Sequence, residues 1–134
     1  MLFPKNQVKL KEAFKQDLKK LYIEYMDALM SNRNIASQID RIVIEGHTDS
    51  DGSYLLNLDI SQKRAYAVMS YLASLEYTKR HNLMPLLVAS GRSYQDIIKV
   101  NGVENKDASR RIEIKFTLKN DDAMNEIERI LDYE

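Results

Sequence analysis

Over 134 residues, twenty basic side chains balance twenty acidic ones, so no global field draws this chain to nucleic acid or to an anionic surface, and any ligand has to be recognised locally. The length fits one domain with a core of its own, and the absence of cysteine excludes disulfides, thiolate metal sites and a cysteine nucleophile. The opening "MLFPKNQVKLKEAFKQ" turns polar after three positions, which suits neither a secretory apolar region nor a membrane span, and Met1 falls directly on an apolar pair, as expected of a segment cut from a longer protein.

From Lys9 to Met30, apolar positions Leu10, Phe14, Leu18, Leu21, Tyr25 and Leu29 recur at steps of three and four, which predicts an amphipathic helix. Tyr22 and Tyr25 on that helix read as core or rim residues. "SNRNIASQ" supplies loop and cap residues before "IDRIVIEGH", where β-branched Ile42, Val43 and Ile44 predict a strand. A turn around Gly52 follows, and Asp59 with Gln62 offers a capping box for a helix whose core stripe is Ala65, Val68, Leu72 and Leu75. After Pro85, a second strand is expected at Leu86 to Ser90, then a loop from Gly91 to Ala108. "RRIEIKFTL" alternates, with Ile112, Ile114 and Phe116 on one face and Arg111, Glu113 and Lys115 on the other, so one face of the sheet meets water. The last stretch spaces Met124, Ile127 and Leu131 as a short closing helix. These patterns divide the chain into a domain over 1–118 and a helical extension over 119–134.

Because strand–helix–strand crossovers are right-handed, successive helices fall on one side of the sheet. The fold class expected is α+β: a two-layer sandwich with a mixed parallel and antiparallel sheet and helices packed on one face. The stretch "GHTDSDGSYLLNLDISQKRA" then sits at the carboxyl end of a strand beside a helix start, where polar ligands are often held. Four readings compete there. Asp49 and Arg64 could form an internal salt bridge tying loop to helix. His47, Asp49 and Asp51 could converge on a metal ion as imidazole and carboxylate ligands, with His81 more suited to a solvated position. Ser50 or Ser53 could act as a nucleophile with His47 as base, although no Gly-x-Ser-x-Gly elbow is present. The fourth is a zwitterion clamp, in which Asp49 takes an ammonium and the planar fork of Arg64 takes the carboxylate of an amino-acid head group.

The same residues bear a family resemblance. "GHTDSDGSYLLNLDISQKRAYAVMSYL" resembles the signature of the OmpA-like peptidoglycan-binding domain of porin-type outer-membrane proteins, peptidoglycan-associated lipoproteins and MotB-type flagellar stator subunits. Thr48, Asp49, Gly52, Asn57, Ser61, Arg64 and Ala65 match it in order and spacing, with Ile60 standing for a leucine. "SRRIEI" is similar to the family's closing Asn-Arg-Arg-Val-Glu-Ile strand, with Arg110 and Arg111 in place, and the likeness runs from Phe3 to Phe116.

The resemblance implies a non-catalytic module, with no cofactor, that binds meso-diaminopimelate of the peptidoglycan stem peptide in the cell envelope, in the periplasm of a Gram-negative bacterium. It assigns the ligand to Asp49 and Arg64, with Thr48, Asn57 and Ile60 at the same pocket, Arg111 supporting it from the last strand or lying solvated on the strand face, and Phe3 marking the remnant of the family's first strand. It also implies a membrane-anchored parent protein, a homodimer if that parent is MotB-like, and no nucleic-acid partner. An interaction domain of a motor, secretion or defence complex with an altered ligand keeps the same fold. Three departures stand out: Ser109 replaces the asparagine before the double arginine, "GRSYQDIIKVNG" lacks the loop proline, and "YIEYMDALMSNRNIASQ" makes the segment before the first clear strand long, in the manner of MotB-type members.

Overall fold

The computed structural model describes Phe3 and residues 6–119. The chain runs α1 (Glu12–Met30), α2 (Arg33–Ala36), β1 (Ile39–His47), α3 (Tyr54–Ser74), α4 (Glu76–Arg80), β2 (Leu87–Gly91), β3 (Lys99–Val100), β4 (Val103–Glu104), α5 (Lys106–Ser109) and β5 (Arg111–Leu118). The main sheet has the order β2-β1-β5, with β1 parallel to β2 and antiparallel to β5. This is the mixed α+β sandwich that the patterning calls for. The closing helix expected around Met124, Ile127 and Leu131 lies outside the described residues. Among the described residues, no helix is long and apolar enough to cross a membrane.

The core forms where the inward stripe of α3 meets β1: Ala65, Val68 and Leu72 pack with Ile42 and Ile44, all fully buried. Alternation along β5 brings Ile112 and Ile114 to the same side, opposite Gly46 and Ile44. On α1 the buried stripe differs from the expected one. Leu18, Tyr22 and Met26 are buried while Leu21 is 62% exposed, so the helix is rotated toward its tyrosine. The cause is a partner that periodicity does not show: the Tyr22 hydroxyl lies 2.8 Å from the buried Thr78 Oγ1, which itself donates to Leu72 O at 2.6 Å. Tyr22 also meets Tyr77 edge-on, with ring centroids 6.0 Å apart.

Two further boundaries move. α3 begins at Tyr54 because Ser53, in extended conformation, accepts from the Leu56 amide through its hydroxyl at 3.1 Å, a standard N-cap. Asp59 therefore lies inside the helix and pairs with Lys63 at 2.9 Å. The stretch expected as a loop from Gly91 to Ala108 contains the small hairpin β3–β4 and the single turn α5, capped by Asn105 on the Ala108 amide at 3.0 Å.

Helix α3 crosses the carboxyl ends of β1 and β2 in backbone contact. A Cβ at Gly46 would lie 2.2 Å from Ser61 O, and one at Gly91 would lie 2.6 Å from the Gln62 amide nitrogen. Neither obstacle is a flexible side-chain end. Around this contact the polar groups are satisfied: Ser61 Oγ donates to Leu58 O and accepts from the Ser93 amide, and the Gln62 side chain bridges to Ala89 O and the Gly91 amide. Gly46→Ala should therefore lower unfolding free energy by about 1–3 kcal/mol, as overpacking against an unyielding neighbour does, and chemical denaturation measures this.

Candidate functional site

β1 ends at His47 and passes the chain to Thr48 and Asp49, which stay buried because the amide of Thr48 donates to Ser93 O at 2.9 Å. Its hydroxyl donates to Asp49 O, also at 2.9 Å. The turn that follows is held from the helix. Asn57 lies one turn into α3, is buried, and donates through Nδ2 to Asp51 O at 2.7 Å and to Ser53 O at 3.0 Å. Gly52, at φ +86°, takes the left-handed conformation the turn requires. Asp49 Oδ1 accepts from the Asp51 amide at 2.9 Å, so its carboxylate is oriented by its own loop.

Asp49 and Arg64 meet at one cavity of about 250 Å³, lined by Asn6, Thr48, Asp49, Asp51, Asn57, Ile60, Arg64 and Arg110. The spacing Asn57, Ile60, Arg64 places these three on one face of α3, and the tight crossing at Gly46 brings that face to the end of β1. Arg64 Nε donates to Gln7 O at 2.8 Å, and its guanidinium lies 5.3 Å from the centroid of the buried Phe3 ring. Burial pulls the Arg64 pKa below its usual value, the Arg110 guanidinium adds to this, and Asp49 opposes it.

Of the site residues named from the sequence, Thr48, Asp49, Asn57, Ile60 and Arg64 line this cavity, and Arg111 does not. Arg111 turns to Glu113, with Nε at 3.0 Å, and to Ser109 O, with Nη1 at 3.1 Å, beside a narrow cleft of about 50 Å³ that it shares with Phe3, His47 and Arg64. Its neighbour Arg110 takes the cavity position and forms an ion pair with Asp49 and another with Asp107. Strand parity carries this information. Arg110 shares the face of Ile112 and Ile114, whereas Arg111 shares that of Glu113 and Lys115. Asn6 and Lys106 were also missed. Lys106 pairs with Asp51 at 2.8 Å, a contact between residues far apart in the chain that no local pattern announces.

Two readings of the opening stretch are corrected. His47, Asp49 and Asp51 do not converge, because alternation along β1 turns the imidazole to the opposite side of the sheet from the cavity, where Nε2 lies 3.1 Å from Glu45 and 2.9 Å from Glu113. The nucleophile–base pairing is not formed either: Ser50 donates to Glu104 at 2.5 Å and Ser53 caps α3. Ser109, in place of the asparagine, is buried; its hydroxyl accepts from the Ile98 amide at 2.9 Å and donates to Asn105 O at 2.8 Å, so it fastens the loop by its own bonds.

A family model described as the OmpA family matches residues 2–111. The Zorya protein ZorB of Escherichia coli O139:H28 (strain E24377A / ETEC) is 38% identical over 84 residues, covering 57% of this chain and 32% of that protein, so the chain matches about a third of that relative's length. The periplasmic domain of Helicobacter pylori MotB superposes with a TM-score of 0.63 at 20% identity, over 98% of this chain and 86% of that one. The peptidoglycan-associated lipoprotein from Burkholderia pseudomallei superposes with a TM-score of 0.56 at 18% identity, over 84% of each chain. At these identities the two structures share the fold.

Asn57→Ala leaves Asp51 O without its side-chain donor and Ser53 O with only the backbone amide of residue 57. It should cost about 1–3 kcal/mol of stability, and faster amide exchange at residues 50–53 in hydrogen-exchange measurements is the expected local sign.

Proposed function

This chain belongs to the OmpA family, and from that premise we propose that it is a non-catalytic module that anchors a cell-envelope protein to peptidoglycan by binding the diaminopimelate of the stem peptide, in the periplasm of a Gram-negative bacterium. The observation that carries the reading is the cavity of about 250 Å³ in which Asp49 and Arg64 stand together. An amino-acid head group brings an ammonium and a carboxylate on one carbon. The Asp49 carboxylate accepts from the first, and the Arg64 fork donates to the second in a bidentate geometry that lysine lacks. Thr48, Asn57 and Ile60 complete the walls, and Arg111 supports them from the outer side of β5.

Arg110 has a part in this scheme that the clamp alone lacked. It neutralises Asp49 before a guest arrives, so a ligand ammonium shares the carboxylate with it or displaces it. The names of two relatives agree with the reading, one as a peptidoglycan-associated lipoprotein and one as a periplasmic domain. On this reading the parent protein is membrane-anchored, and a MotB-like parent makes a homodimer. Residues 1–118 form the binding domain and residues 119–134 its extension.

A second reading rests on the same Asp49–Arg110 pair. If it stays closed, the pocket is filled by its own charges, and the domain serves a motor, secretion or defence assembly through other surfaces. Titration calorimetry with a diaminopimelate-containing tripeptide, together with sedimentation with purified sacculi, separates the two. Arg64→Lys is expected to weaken tripeptide binding by about 1.5–3 kcal/mol, the worth of a charge-assisted contact, and Arg64→Ala should stay in the supernatant. Pelleting of Arg64→Ala equal to that of the unaltered protein would refute the clamp and favour the second reading.

A further inference from the structure

On the face of the sheet turned away from the helices, Glu45 and His47 stand two residues apart on β1, and Glu113 lies directly across from Glu45 on β5. Their ligand atoms all lie within 4.8 Å of one another. His47 Nε2 is 3.1 Å from Glu45 Oε1 and 2.9 Å from Glu113 Oε2. The imidazole side chain is only 1% exposed. Its other nitrogen, Nδ1, is buried and makes no hydrogen bond among the described residues.

As a hydrogen-bonded cluster this arrangement is poorly matched. One Nε2–H faces two carboxylate oxygens and serves only one of them well, while Nδ1 presents a lone pair to nothing. With Nε2 as a metal ligand the proton resides on Nδ1 and faces Asp96 Oδ2, an oxygen shared with Arg92 that lies 3.9 Å away, so a small approach of the two side chains completes a hydrogen bond. A carboxylate behind a ligating histidine is the usual outer support of such a site.

We propose that Glu45, His47 and Glu113 form a binding site for a divalent cation of the zinc type, with Asp96 behind the imidazole. Bonds of about 2.0–2.1 Å at a tetrahedral centre set donor atoms about 3.3–3.4 Å apart. The two spacings from His47, 3.1 and 2.9 Å, therefore open by a few tenths of an ångström, and the two carboxylate oxygens, within 4.8 Å of each other, take up the rest by side-chain rotation. One nitrogen and two carboxylate oxygens suit zinc better than magnesium or calcium, which prefer all-oxygen shells. Lys115 lies 3.0 Å from Glu45 and Arg111 lies 2.8 Å from Glu113. Both cations hold the same oxygens that face His47, Oε1 of Glu45 and Oε2 of Glu113, so binding the ion requires Lys115 and Arg111 to shift to the second oxygen of each carboxylate. The ion joins β1 to β5 just before the chain enters the Thr48–Asp49 loop.

The test is titration of purified, untagged, chelator-treated protein with zinc chloride, followed by calorimetry, and with cobalt(II), followed by visible absorption. One zinc per chain is expected, with a rise in melting temperature. Glu113→Gln, at a partly exposed side chain, should abolish both, and Asp96→Asn should weaken uptake about 10–100-fold, as loss of an outer partner does. Asp49→Asn and His81→Ala should bind zinc like the unaltered protein. No saturable zinc uptake, or uptake that survives Glu113→Gln, would overturn the proposal; unaltered folding of Glu113→Gln is checked by its circular dichroism without metal.

Discussion

The close crossing of α3 over the ends of β1 and β2 is the constraint on which the rest of the molecule depends. Only a residue without a side chain fits between Ser61 O and β1, or between Gln62 and β2. The contact removes solvent from a set of backbone and hydroxyl groups, and each of these finds a partner: Ser61, Gln62, Ser93 and Thr48 are linked by bonds that join helix, strand ends and loop. Unmet polar groups at such a place would cost as much as the packing contributes. The bonds therefore set the distance between helix and sheet, and that distance brings Arg64 to Asp49.

The electrostatics follow from this geometry more than from composition. The chain is neutral as a whole, and the cavity repeats that balance on a small scale, with Asp49 and Asp51 facing Arg64 and Arg110. Each carboxylate is already committed, Asp49 to Arg110 and its own loop, Asp51 to Lys106. A site of this kind has little long-range attraction for a charged polymer. It discriminates by exchanging internal ion pairs for external ones, which rewards a guest that carries both signs at the right separation and penalises one that carries a single charge.

The two faces of β1 hold different chemistry with a one-residue offset. Gly46 faces the helix, while Glu45 and His47 face outward with Arg111, Glu113 and Lys115. The outward cluster is buried at its centre although the sheet is open there, because the long side chains of Arg111 and Lys115 lie across it. The loop that carries Thr48 and Asp49 is thus held from both sides of the sheet, by packing against α3 and by charge on the opposite face.

What the amino-acid order determined by itself was whatever depends on neighbours within a few residues. The stripe Ala65, Val68 and Leu72, the alternation of Ile112, Ile114 and Phe116, and the run from Thr48 through Asn57 to Arg64 each declare a local period or spacing, and these were enough for the sandwich and for most of the cavity wall. The tertiary structure decided the remainder, because the deciding partner is distant in sequence. Tyr22 displaced Leu21 from the core through a bond to Thr78, 56 residues away. Ser53 displaced Asp59 as the helix cap, a local choice between two plausible caps that the path of the loop resolved. The alternation along β5 already put Arg110 on the side of Ile112 and Ile114, but only the pairing of β5 with β1 brought that side to Asp49, and the same pairing set His47 beside Glu113 rather than Asp51. A period of two fixes which side chains share a face, whereas the residues that stand across from them are set by the register of a partner strand, which lies beyond the reach of a local pattern.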